Sequence, residues 1–204
     1  NVLELSGGSD IKGKIDGGSG ENILIVDGNI SLNNSEVNNF NKLIVSGDTV
    51  IDGVINLNPS VNNDYYTQSF SNVKDLSQIS SETHIGKLTV KGTVNIGVDY
   101  DNISSETDKT GKIITNSLTM LNGGKVVLIN KGGTTDNLIT EAQKSGEKDR
   151  ISIKSIIISN KQQAVNPDFK FSVSSELETL DGWKRDTVSR IENGVTVMDE
   201  IYTK

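Results

Sequence analysis

The chain has 204 residues, enough for one sizeable β domain, and its 33% hydrophobic, 23% charged and 4% aromatic residues fit a narrow, elongated core better than a thick globular one. Its formal charge of −7 disfavours nucleic acid and anionic membrane as partners, because both are held through clustered Lys and Arg. Cysteine is absent, which excludes disulfides, thiolate nucleophiles and thiolate metal sites together.

In chain order, short apolar alternating runs recur, each closed by a glycine. The first is Leu3-Glu4-Leu5-Ser6-Gly7, and the next, Leu24-Ile25-Val26-Asp27-Gly28, lies inside the stretch DGGSGENILIVDG. The start of that stretch matches in part the calcium-binding nonapeptide of parallel β-rolls. Asn22 stands where that motif needs a carboxylate, and no second copy follows nine residues on, so Gly17, Gly18 and Gly20 are expected to steer the chain through a corner, with no metal. Leu43-Ile44-Val45-Ser46-Gly47 follows, and the alternation resumes at Val50, Ile51, Val54, Ile55 and Leu57.

The stretch Asn58 to Thr83 breaks the spacing and gathers Tyr65, Tyr66 and Phe70. It reads as a loop excursion whose aromatic group is the candidate partner-binding patch. The pattern returns at Leu88-Thr89-Val90-Lys91-Gly92, then Val94, Ile96 and Val98, and again at Leu118-Thr119-Met120-Leu121-Asn122-Gly123. Gly132-Gly133-Thr134-Thr135-Asp136-Asn137-Leu138 is a second partial nonapeptide match, one residue short. Asp136 to Arg150 is polar and predicts a short helical turn or loop before a buried strand over Ile151 to Ile158. From Phe169 onward the pattern changes. Trp183 joins Ile191, Val195, Val197 and Ile201, and Asn193-Gly194 between two alternating runs predicts a two-residue hairpin.

The leading units start 21, 19, 45 and 30 residues apart. A period near 20 with a glycine corner suits stacked rungs, each laid on the one before about 4.8 Å away. The expected fold is therefore all-β, a right-handed parallel β-helix over residues 1–168 with an excursion at about 58–83, closed by a C-terminal cap over residues 169–204 that contains Trp183, Asn193 and Gly194. An antiparallel sandwich is the competing architecture, since glycine turns and alternation also serve hairpins.

Candidate chemistry is sparse. The single histidine, His84, has no nucleophile-elbow serine to serve. Ser145-Gly146-Glu147-Lys148 matches S-x-x-K in a polar loop without companion motifs. Asp99 and Asp101 lie on one side of an extended segment, as do Asp48 and Asp52, and such pairs serve polysaccharide-cleaving β-helix enzymes; aspartates at turns more commonly cap backbone amides. No residue is expected to hold a metal or cofactor. The low aromatic content argues against an extended sugar-stacking platform.

The segments GGSGENILIVDG, KLIVSGDTVIDGVINLN, KLTVKGTVNIG and SLTMLNGGKVVLINKGG together resemble the passenger domains of type V autotransporters, near their junction with the outer-membrane barrel. The resemblance implies a right-handed β-helix displayed at the bacterial cell surface. It also implies a non-enzymatic adhesin that contacts a protein or glycan receptor and is exported through a C-terminal barrel, with a terminal segment that caps the helix and assists its folding. No catalytic residue carries over from it. The chain starts at Asn1 without a basic signal region and reads as a mature or excised segment. The alternative is a carbohydrate-active β-helix enzyme using the aspartate pairs.

Overall fold

The computed structural model describes residues 1–8, 10–27, 30–32, 34–45, 47–59, 86–101, 110–115, 117–121, 123–144, 146, 148–159, 169–178, 180–192 and 195–204. It is an all-β structure. In chain order the strands are β1 (Val2–Ser6), β2 (Gly13–Asp16), β3 (Ile23–Asp27), β4 (Ile30–Ser31), β5 (Ser35–Phe40), β6 (Lys42–Val45), β7 (Thr49–Ile51), β8 (Val54–Leu57), β9 (Lys87–Val90), β10 (Thr93–Asp99), β11 (Lys112–Thr115), β12 (Ser117–Met120) and β13 (Lys125–Gly132). Helix α1 (Thr135–Lys144), strands β14 (Arg150–Ser159) and β15 (Ser172–Val173), helix α2 (Ser175–Glu178) and strands β16 (Lys184–Glu192) and β17 (Val195–Thr203) complete it.

These strands form three sheets, ordered β1-β3-β6-β11-β14-β17-β16, β15-β13-β10-β8-β5-β2 and β12-β9-β7-β4. The chain visits them in rotation, although among the described strands β1–β2 and β14–β15 pass from the seven- to the six-stranded sheet directly and β8–β9 from the six- to the four-stranded one. Strands β3, β4 and β5 enter the seven-, four- and six-stranded sheets in turn, and β6, β7 and β8 repeat the circuit beside them. Every ladder between named strands is parallel except the two that β17 makes with β14 and β16. An antiparallel sandwich would have needed the opposite balance.

Register stacks like on like. In the seven-stranded sheet Leu3 pairs with Leu24, Leu24 with Leu43 and Leu43 with Ile113. Across the six-stranded sheet Ile15, Val37, Ile55, Val94 and Val126 form one inward row, and Leu57, Ile96 and Leu128 another. The members of these rows from Val37 and Leu57 onward are buried and belong to one core cluster. Burying each such side chain contributes about 1.5–3 kcal/mol. A parallel ladder stays in register here because a slip by one residue would turn the whole row outward.

The repeating glycine marks a close approach. A Cβ on Gly92 would lie 2.1 Å from the carbonyl oxygen of Gly53, one circuit earlier, so the corner between the four- and six-stranded sheets closes only without a side chain. Outside the six-stranded sheet, Asn95 Nδ2 donates to Asn56 Oδ1 at 2.8 Å and Asn56 Nδ2 to Asn38 Oδ1 at 2.6 Å, a side-chain ladder running along three strands.

Three expectations change. The glycine-closed units do not occupy equivalent places: those at Leu3, Leu24 and Leu43 lie in the seven-stranded sheet, those at Leu88 and Leu118 in the four-stranded one. A local alternating pattern specifies a strand, whereas its sheet depends on how many residues the preceding connection consumes. The short helical turn or loop expected over Asp136 to Arg150 is longer than that, a ten-residue helix over Thr135–Lys144. Finally, the segment after Phe169 first adds β15 to the six-stranded sheet, parallel to β13, and leaves the rotation only at α2. Most of the excursion, with Tyr65, Tyr66 and Phe70, lies outside the described residues, as does His84.

Candidate functional site at the carboxy-terminal hairpin

The residues singled out for metal or acid chemistry have structural partners. Gly18 and Gly20 have φ of 75° and 87°, as a glycine corner requires, whereas Gly17 is needed for space: its Cβ would meet Asn39 O at 2.5 Å. Asn22 is buried, and its amide is bound within the chain. Nδ2 donates to Asn39 O at 2.8 Å, Oδ1 accepts from Asn1 Nδ2 at 2.9 Å, and its backbone N–H donates to Asn41 Oδ1 at 2.8 Å. An amide is therefore the better residue at this position, because an aspartate would lose the donor. The second nonapeptide match is the start of α1: Thr134 caps it, its Oγ1 accepting from Asn137 N at 3.2 Å.

Asp99 and Asp101 brace the same turn. Asp99 Oδ1 accepts from Asp101 N at 3.1 Å, and Asn137 Nδ2 donates to Asp101 Oδ1. A Cβ on Gly133 would lie 2.6 Å from Asp101 Oδ1. Asp48 Oδ1 likewise accepts from Lys87 N at 3.2 Å. Among the described residues no group of three or more His, Cys, Asp or Glu is placed to hold a metal ion.

Sequence reasoning missed the polar cluster under the hairpin. Strand β17 alternates Met198, Glu200 and Tyr202 toward the core, all buried, beside Ile153 and Ile151 of β14. Glu200 is fully buried; its Oε2 accepts from Thr187 Oγ1 at 2.7 Å and its Oε1 lies 3.5 Å from Arg185 Nη1. Arg185 also donates to Phe171 O at 3.0 Å, tying β16 to the chain before β15. Burial pushes the Glu200 carboxyl up to about 7, against the pull of Thr187 and Arg185. Burial also raises the Tyr100 and Tyr202 phenols. The buried Tyr100 and Ser174 hydroxyls face one another, and the Tyr202 hydroxyl is buried without a hydrogen-bond partner, the kind of group that internal water satisfies. The signal was a charged residue on the apolar face of the run Met198 to Tyr202.

The hairpin forms as Asn193-Gly194 foretells: β16 and β17 pair from Lys184↔Thr203 to Glu192↔Val195. Asn193 and Gly194 themselves lie outside the described residues. Trp183, just before β16, is half-buried and packs against the core cluster. Its ring lines an open cleft of about 530 Å³. Lys204 Nζ stands 6.0 Å from the ring centroid.

A second buried polar group lies at the start of two central strands of the seven-stranded sheet, β6 and β11. Lys42 and Lys112 are paired in register and buried. Burial, helped by the Lys112 ammonium, pushes Lys42 down to about 8, while Glu21 pulls the other way. No protein-family profile, curated protein or solved structure matches the chain.

Proposed function

We propose that the chain is a right-handed parallel β-helix and serves as a passenger segment of a secreted autotransporter adhesin. In this reading it is a non-enzymatic stalk that holds surface loops away from the bacterial cell, anchored at the outer membrane or released from it. The observation that carries the architecture is the rotation of strands through three parallel sheets with apolar rows stacked in register. Right-handedness follows from the general rule for parallel crossovers. The terminal hairpin is the cap: it turns the last ladders antiparallel, pairs the otherwise open edge of β14 and continues its inner row with Met198 and Tyr202, as the open end of a stack requires.

Partners in this reading are a cell-surface protein or glycan receptor and a C-terminal barrel in the full-length protein. The stalk role, with no turnover, is favoured because both carboxylates are engaged within the chain, Asp99 by Asp101 N in the turn after β10 and Asp101 by Asn137 of α1. Incubation with a panel of polysaccharides, reading chain cleavage, tests it. No cleavage is expected, whereas cleavage that disappears in Asp99→Asn and Asp101→Asn would establish the enzyme instead.

A further inference from the structure

The cleft beside Trp183 is assembled from four separate parts of the chain. Helix α1 gives Ile139 and Gln143, the turn before β14 gives Asp149, the turn before β16 gives Asp181, and the end of β17 gives Lys204. Two of the parts are tied directly, Lys204 N donating to Asp149 O at 3.0 Å, and Trp183 N donating to Leu180 O at 3.2 Å closes the turn before β16. Gly182 adopts φ of 76°, which turns the chain just before the ring. The volume of about 530 Å³ falls within the range of small-molecule sites, roughly 300–1,000 Å³.

We infer that this cleft is a binding site for a neutral saccharide, with the apolar face of one sugar ring laid on Trp183. A sugar hydroxyl donates and accepts at once, so it is matched by a lining that mixes acceptors with donors. Asp149 and Asp181 supply carboxylate acceptors, Lys204 and Lys148 supply ammonium donors, and Gln143 supplies both in one carboxamide. A cation would face two ammonium groups and an anion two carboxylates, so a charged ligand leaves half the lining mismatched. The half-buried indole gives the apolar plate that the carbon-bound hydrogens of a sugar need. Lys204 Nζ stands 6.0 Å from the ring centroid, on a long exposed side chain whose ammonium is within reach of a hydroxyl laid on that plate. The inference goes beyond the stalk reading and does not depend on it.

Trp183 is the only tryptophan of the chain, so intrinsic fluorescence reads this cleft without interference. The intact chain is titrated with neutral methyl pyranosides and their disaccharides, with glucosamine and a methyl uronide as charged counterparts and glycerol as a simple polyol. A saturable change in intensity or wavelength is expected with at least one neutral sugar, at least tenfold tighter than with the charged counterparts. Asp181→Asn and Gln143→Ala, both at exposed positions, should each weaken it about tenfold, the worth of one hydrogen bond to a charged or well-placed group. Absence of any saturable change up to roughly 100 mM, well past the millimolar regime, overturns the inference. So does an equal response to glycerol, a preference for a charged sugar, or binding that survives both substitutions unchanged.

Discussion

At the scale of the residue, Glu200 links the hairpin to pH. Its carboxyl is held near 7 in the folded chain against an ordinary value of 4.5, so the unfolded chain releases this proton first as pH rises. The contribution to stability is therefore complete below about 4.5 and is lost as pH climbs through about 7, amounting to about 2–4 kcal/mol across the window. Thermal melting of the native chain should fall between pH 5 and 8, and Glu200→Gln should flatten that slope. A native slope of the opposite sign would place the carboxyl in a solvated or tightly paired setting. Arg185 is partly exposed and is bonded to Phe171 O as well, so Glu200→Gln does not strand it in the core. Gly92 makes the complementary test of space. Gly92→Ala places a methyl 2.1 Å from Gly53 O and should cost about 1–3 kcal/mol in urea unfolding, whereas Ala at Gly123, whose Cβ would meet nothing within 4 Å, carries only the strain of its φ of 79°. Equal costs would mean that the corner is looser than described.

At the scale of the element, strands were the legible part of the sequence and sheets were not. Leu24 and Leu88 head similar glycine-closed runs, yet they enter different sheets, because period-2 alternation carries no information about the length of the circuit that precedes it. The hairpin was legible because Asn-Gly fixes both turn and register. Glu200 was not, since its partners Arg185 and Thr187 lie across the hairpin and only the pairing of β16 with β17 brings them together. The length of helix α1 was masked by its polarity, although Thr134 is an ordinary cap. Trp183 is partly buried against the core cluster, so Trp183→Ala should cost less than the roughly 3–5 kcal/mol of a fully buried aromatic. Removal of residues 184–204 should do more harm, because it uncovers the edge of β14 and its inward Ile151 and Ile153. Limited proteolysis should then proceed from the C-terminal side much faster than in the intact chain. Equal resistance would make the hairpin an appendage.

At the scale of the whole molecule, the account depends on successive circuits lying directly on one another, with β8 between β5 and β10 in parallel register. The outward ladder of Asn38, Asn56 and Asn95 offers a direct test, and the natural absence of cysteine keeps it free of competing thiols. Adjacent strands lie about 4.8 Å apart, inside the span a disulfide bridges, while strands two apart are about 10 Å distant and exceed its limit of about 7 Å. Cysteine pairs are introduced as Asn38→Cys with Asn56→Cys, as Asn56→Cys with Asn95→Cys, and as Asn38→Cys with Asn95→Cys, and each is oxidised under native conditions and mapped by mass spectrometry. The first two pairs are expected to close within one molecule and the third to stay open. Closure of the third pair, or failure of both adjacent pairs in chains that still melt cooperatively, would contradict the stacked circuits on which the proposed architecture rests.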